Sequence, residues 1–128
     1  MGATYADVTI RSTSNGHDAF TGRFLVDTGA FDCVVPSEVL ERIGVKRVGR
    51  RDYELEGGRR IAFDYGIIQI ELMGEITAGR VVFGPEGVEP LIGVVALESA
   101  ALKVNSVTQE LERMEVSLLK YSKRDNAT

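Results

Sequence analysis

Short segments in which apolar and polar residues alternate make up most of the chain. Residues 5–11 alternate in this way, which is typical of a β-strand with one buried face. An Asn-Gly pair within residues 14–18 is a strong hairpin signal, and residues 20–26 form the predicted returning strand. The sequence therefore predicts a β-hairpin near the N-terminus.

The same pattern of short strands and turns continues through the rest of the chain. Further strands are predicted at residues 33–35, 67–73, 80–83 and 91–92, and a second hairpin at 53–63. Two short helices are predicted, one at 38–43 behind Ser37 as its N-cap and one at 96–102. Many short strands with two small helices favour an all-β barrel or sandwich.

The C-terminal region allows two interpretations. The alternation of Met114, Val116 and Leu118 predicts a last strand over residues 114–119 with one buried face. A helix that continues from residue 109 is the alternative, because residues 110–112 are compatible with helix. Residues 121–128 are polar and are expected to form a tail outside a single domain over residues 1–120.

Composition and charge narrow the class of protein. The chain of 128 residues is 44% hydrophobic and 27% charged, as ordinary globular domains are, and its net charge of -4 argues against nucleic acid as a partner. No apolar run approaches the ~18–20 residues that cross a bilayer, and no signal peptide is recognisable, so we expect a soluble cytoplasmic protein with no membrane partner. His17 and Cys33, each the only residue of its type, are too few for a typical metal site, and we expect no metal.

The candidate chemistry lies where the predicted strand at 20–26 ends. Apolar residues precede Asp27, Thr28 and Gly29, and an acid at the end of a buried strand has one side in the core and one at the surface. Gly29 permits a sharp turn and the close approach of a substrate. Thr28 can bind a backbone group and fix the loop. Asp and Gly also favour ordinary turns, so it is the position after a buried strand that makes this tripeptide a candidate site.

In combination with other segments, this loop resembles the catalytic loop of the retropepsin-like aspartic proteases. The segment Glu56-Gly57-Gly58 falls where that family has the tip of its substrate-covering flap. Residues 81–85 resemble the strand before a substrate-pocket loop, 89–93 resemble a second motif that packs behind the catalytic loop, and the predicted helix follows it. The resemblance runs over residues 5–119. It implies a homodimeric, closed β-barrel of the acid-protease (retropepsin) type with one or two short helices.

Two positions depart from the retroviral pattern. Phe31 stands where retroviral members usually have Asp, and Val94 stands where they usually have Arg. In the family these two residues pair, so their joint absence leaves no buried charge without its partner. The sequence is therefore more similar to the non-viral branch of the family.

The resemblance also implies a mechanism. Aspartic proteases hydrolyse peptide bonds with two carboxylates that share one proton, and this chain has a single Asp-Thr-Gly. A symmetric homodimer would bring Asp27 of each chain together, with Thr28 bonded across the axis and no cofactor needed. Gly29 would complete the catalytic loop. The residues that would contact a peptide or protein substrate are Ala30, Glu56, Gly57, Gly58, Val88 and Leu91. A catalytically silent dimeric peptide-binding module on the same fold is the alternative.

Overall fold

The computed structural model describes residues 2–14, 18–117 and 122–124. Over these ranges the chain forms nine β-strands and two helices of six residues each, which confirms the all-β class. Within the same ranges no helix is long and apolar enough to cross a membrane. The elements are β1 (Thr4–Ser12), β2 (Ala19–Val26), β3 (Cys33–Pro36), α1 (Ser37–Arg42), β4 (Gly49–Glu54), β5 (Arg60–Leu72), β6 (Glu75–Gly84), β7 (Leu91–Ile92), α2 (Val94–Ser99), β8 (Leu102–Val104) and β9 (Leu111–Arg113).

Six of the strands form a closed ring. Their order is β1-β2-β7-β3-β6-β5, and β5 pairs back with β1. The β2–β7 and β3–β6 pairs are parallel, whereas β1–β2, β1–β5, β3–β7 and β5–β6 are antiparallel. Among the described strands, β4 pairs with β5 alone and so lies at the edge of the sheet. Strands β8 and β9 form a separate two-stranded sheet.

Alternation along the strands builds the core inside the ring. In β5, Ile68 and Ile70 are buried, whereas Ile67 between two inward positions of the strand is 38% exposed. The two helices add Leu40 and Leu97, both buried. The ring is thus filled by side chains from every second strand position and covered by the helices.

The predicted strands near the N-terminus and at 91–92 are confirmed, but the middle of the chain is more continuous than predicted. The predicted second hairpin and the strand at 67–73 share one long strand, β5, which pairs with β4 through its first half. Gly66 does not interrupt it, because the absence of a side chain lets the strand pass close to the Lys46 carbonyl oxygen. Arg47 and Arg50 each bond the Asp64 carboxylate at 2.9 Å, which stabilises the polar segment before Gly66.

Both helices begin earlier than the sequence predicts. Pro36 occupies the N-cap position of α1, and Ser37 is its first residue, with a hydroxyl that donates to the Gly84 carbonyl oxygen at 2.8 Å. Helix α2 ends at Ser99 because Ala101 adopts a positive φ of 59°. Leu102 then enters β8 instead of ending the helix.

The predicted C-terminal strand is wrong over its described part. Residues 114–117 lie outside the helices and strands, and residues 118–119 lie outside the described residues. The C-terminal strand of the structure is instead β9, at residues 111–113. It pairs with β8 from Leu102↔Arg113 to Val104↔Leu111. The helical alternative is also wrong, since residues 111–113 are extended. The predicted turn at 14–18 falls largely on residues 15–17, which lie outside the described residues.

The alternation in β5 generates a test with a matched pair of variants. Ile70→Ala should lower the free energy of unfolding by about 2–5 kcal/mol, because it leaves a cavity in a fully packed core. Ile67→Ala makes the same chemical change on the outer face and should cost about 1 kcal/mol or less. Urea unfolding of both variants measures the difference. Equal losses would contradict the register of this strand.

Candidate functional site

Asp27 follows directly on a strand whose end is buried. Phe24 and Val26 are 1% and 8% exposed, and Val26 pairs with Ile92 of the parallel neighbour β7. The Asp27 amide continues this ladder by donating to the Ile92 carbonyl oxygen at 3.0 Å. The Asp27 residue itself is half-buried. Its backbone is therefore held by the sheet while its carboxylate lies at the surface.

The residues after Asp27 form a tight turn around its side chain. The Gly29 amide donates to Asp27 Oδ1 at 2.9 Å, and the Ala30 amide donates to the Asp27 carbonyl oxygen at 3.1 Å. A carboxylate that accepts a backbone N–H is bound more strongly than a neutral acceptor would be. The backbone of the loop thus orients the Asp27 carboxylate. Thr28, which lies between Asp27 and Gly29 in the sequence, is exposed.

A second segment supports the loop from behind. The Val94 amide donates to the Ala30 carbonyl oxygen at 2.8 Å. A Cβ atom at Gly93 would lie 2.7 Å from the carbonyl oxygens of both Phe31 and Asp32, so the two backbones touch only because residue 93 is glycine. This contact confirms that residues 89–93 pack behind the Asp27 loop.

An open cleft of about 640 Å³ lies beside the loop. Its walls come from the loop, from the hairpin formed by β4 and β5, and from residues 82–88. Most of the side chains facing it are apolar, and Phe31 at its rim is 58% exposed. The apolar lining includes Ala30, Phe31, Val34, Phe63, Val82 and Val88. A cleft of this size and lining is suited to the side chains of an extended ligand.

One wall of the cleft contains a buried acid, Asp32, whose side chain is 4% exposed. The Tyr53 hydroxyl donates to Asp32 Oδ2 at 2.8 Å. Arg51 Nη1 lies 3.7 Å from the same oxygen, and Arg80 Nη1 lies 4.0 Å from Oδ1. Burial, followed by the hydrogen bond to Asp32, raises the pKa of Tyr53 to about 12. Because its side chain is buried, Asp32 does not serve as an exposed cap at the surface of the loop.

The structure brings some of the predicted site residues to the cleft and places others elsewhere. Gly29, Ala30 and Val88 line it. Leu91 is half-buried in β7, between Leu25 and Val34, and does not belong to the described lining of the cleft.

The predicted flap tip forms the turn between β4 and β5. Gly57 and Gly58 adopt positive φ angles of 90° and 84°, and the Gly58 amide donates to the Leu55 carbonyl oxygen at 2.9 Å. Glu56 and both glycines are exposed. The hairpin with a glycine tip is therefore confirmed, and the tip stands clear of the described cleft lining.

Cys33 lies just beyond the loop and has a structural role. It is 2% exposed, and burial raises the pKa of its thiol to about 11. The thiol is therefore protonated near neutral pH and packs as a small apolar group. In the part of the chain that the structure describes, no three His, Cys, Asp or Glu side chains are grouped to hold a metal ion.

The support of the loop by Gly93 can be tested with a matched glycine. Gly93→Ala should lower the free energy of unfolding by about 1–3 kcal/mol, because the new methyl group would collide with backbone oxygens that cannot move aside freely. Gly29→Ala adds the same methyl group where the nearest atom is Asp27 Oδ1 at 3.3 Å, and it should unfold near the wild-type temperature. Thermal unfolding of the two variants decides. A stable Gly93→Ala protein would contradict the close packing.

The comparison with protein families agrees with this geometry. The family described as aspartyl protease matches residues 6–96, which is well over half of the chain. The match begins in β1 and includes the Asp27 loop, the β4–β5 hairpin and the supporting segment around Gly93. No curated protein matches the chain. On the strength of the family match, the chain belongs to the aspartyl protease family.

Proposed function

We propose that the protein is an aspartic endopeptidase of the retropepsin-like, non-viral type that acts as a homodimer. The observation that carries the proposal is the Asp27 carboxylate, which is held by the Gly29 amide at the end of a buried strand and beside an open apolar cleft. Membership of the aspartyl protease family supports this assignment. In the same proposal, the six-strand ring is a closed barrel of the acid-protease type.

The proposed chemistry needs two carboxylates in one site. Asp27 and Asp27 of the partner subunit would share one proton, because two like charges a few ångström apart do not both ionise readily. The ionised carboxylate takes a proton from a water molecule, which attacks the scissile carbonyl carbon. The protonated carboxylate donates to the carbonyl oxygen, and a proton then passes to the departing amine.

The single Asp-Thr-Gly of the chain is the reason for proposing a dimer. One chain supplies half of the dyad, and a two-fold axis beside the loop would supply the other half. Thr28 is exposed and borders a pocket together with Val94 and Met114, so this side of the loop offers polar and apolar groups to a partner. Thr28 would then bond across the axis.

The cleft would hold the substrate as an extended peptide. Ala30 and Val88 line it and would contact the peptide, and the edge strand β4 offers backbone groups for strand-like pairing. The exposed tip at Glu56, Gly57 and Gly58 would close over the bound peptide. Leu91 would support the loop from its position in β7.

Replacement of the catalytic acid is the first test. Asp27→Asn keeps the shape of the side chain but removes the exchangeable proton, so hydrolysis of a mixed peptide library should fall by a factor of about 10²–10⁴ or more. Asp7→Asn makes the same change at an exposed position of β1 and should leave hydrolysis unchanged. Mass spectrometry of the cleaved peptides gives the measurement. Unaltered hydrolysis in Asp27→Asn would refute the assignment, and peptide binding without hydrolysis in the wild type would favour the silent binding module.

Dilution is the second test. Because a monomer has half a site, specific activity should fall as the protein is diluted through its dimer dissociation constant. Thr28→Ala should shift the midpoint of that curve to a concentration higher by about tenfold, the loss expected for a hydrogen bond at an interface. Thr13→Ala, at an exposed turn position, is the control. Sedimentation that shows a fully active species with the mass of one chain would exclude the shared site.

A further inference from the structure

The tip half of the β4–β5 hairpin pairs with no other described strand, because the pairing of β5 with β6 begins at Tyr65. Its outer strand, β4, pairs with β5 alone among the described strands, and its tip is exposed. Exposure alternates along β4, so Arg51 and Tyr53 are half-buried while Asp52 and Glu54 are exposed. The side chains of Arg51 and Tyr53 are therefore placed to join this strand to the wall of the cleft.

Asp32 is a well-fixed residue to which the hairpin can attach. It lies immediately before β3, five residues after Asp27, and its carbonyl oxygen is packed against Gly93. Its side chain is 4% exposed, so the carboxylate is surrounded by protein. A group that reaches Asp32 from the hairpin is thereby connected to the Asp27 loop.

Three side chains surround this carboxylate. The Tyr53 hydroxyl makes the short contact, at 2.8 Å, whereas Arg51 and Arg80 lie at 3.7 and 4.0 Å and balance its charge without a close hydrogen bond. The Arg80 guanidinium also lies 4.7 Å from the ring centre of Tyr65 in β5. The cluster therefore joins the loop, both strands of the hairpin and β6.

We propose that Tyr53 is a positioning residue, whose hydrogen bond to Asp32 holds the β4–β5 hairpin against the Asp27 loop and keeps the cleft formed before a peptide arrives. The kinetic part of this inference rests on the proposed peptidase function, and the structural part does not. Hydrogen bonds to a charged group are stronger than neutral ones, so one such bond is able to set the resting position of an edge strand.

The consequence concerns binding more than chemistry. Without the Tyr53 hydroxyl, β4 keeps its ladder with β5 and the longer Arg51–Asp32 contact at 3.7 Å, and the hairpin more often samples positions in which the cleft is open. A peptide that needs the closed cleft then binds more weakly in proportion to the fraction of closed molecules. The proton transfers at Asp27 are untouched, because Tyr53 contacts Asp32 and not the reacting groups.

Hydrogen exchange of the free protein tests directly whether Tyr53 holds the hairpin against the Asp27 loop. Tyr53→Phe removes the hydroxyl alone, and amide exchange over residues 49–63 should become about tenfold faster, the factor expected for one charged hydrogen bond. Exchange in β1 and β2 should remain unchanged. Tyr65→Phe is the matched control, because it removes a hydroxyl from the same hairpin that lies over Gly49 instead of Asp32. Unchanged exchange in the hairpin, equal acceleration in the control, or uniform acceleration across the chain would each overturn the proposal.

Steady-state kinetics on the best-cleaved library peptide provides the second readout. Tyr53→Phe should raise KM, by less than about tenfold because KM follows the closed fraction, and leave kcat within about twofold. A fall in kcat at constant KM would overturn the positioning role. If the wild type shows no cleavage that depends on Asp27, the proposed function fails, whereas the exchange result still decides whether Tyr53 holds the hairpin.

A double-mutant cycle tests whether the faster exchange of Tyr53→Phe arises from the loss of its contact with Asp32. Asp32→Ala should accelerate exchange over residues 49–63 as Tyr53→Phe does, and Tyr53→Phe should add less than about twofold in that background. Full additivity would show that Tyr53 acts through another partner and would overturn the proposal. If Asp32→Ala does not fold, the exchange measured for Tyr53→Phe and Tyr65→Phe decides alone.

Discussion

The parallel contact between β2 and β7 is the constraint on which the candidate site depends. At its end the Asp27 amide donates to the Ile92 carbonyl oxygen. A few residues further along, the Val94 amide donates to the Ala30 carbonyl oxygen. Between these two bonds the backbones come so close that residue 93 must be glycine. A surface carboxylate is positioned accurately only when the backbone that carries it has no freedom to move, and here the sheet and the glycine contact remove that freedom.

The same contact supports the loop at the two positions where retroviral aspartic proteases usually have a charged pair. Phe31 and Val94 take the two positions, and both contribute backbone hydrogen bonds to the support of the loop. The acid next to Phe31, Asp32, is buried and is partnered from a different direction, by Tyr53, Arg51 and Arg80. Charge near the loop is thus neutralised by the hairpin and β6 instead of by the segment after Gly93. The loop is thereby coupled to the cleft wall.

Local patterns were enough to predict most strands, the glycine-tipped hairpin and the position of Asp27, because each depends on neighbours in sequence. The Tyr53–Asp32 contact joins residues far apart in the chain. It exists only because the tertiary fold brings Tyr53 of β4 to Asp32, although β6 and β5 lie between β4 and β3 in the sheet. No periodicity or turn signal carries that information. The continuity of β5 was missed for a similar reason, since Gly66 indicates a break unless its packing against residue 46 is known. The C-terminal strand was displaced because the pairing of β9 with β8, and not its own alternation, determines where it lies.

The two sides of the Asp27 loop have different environments. On one side, Gly29 and Ala30 border the cleft. On the other side, exposed Thr28 borders a separate pocket with Val94 and Met114. In the proposed enzyme, the cleft side of the loop would hold the peptide, and a partner at the Thr28 side would complete the dyad. Because the backbone of the loop separates these two sides, the proposed hairpin contact at Asp32 would govern how well the cleft is formed, whereas association at Thr28 would govern whether the site contains a second carboxylate.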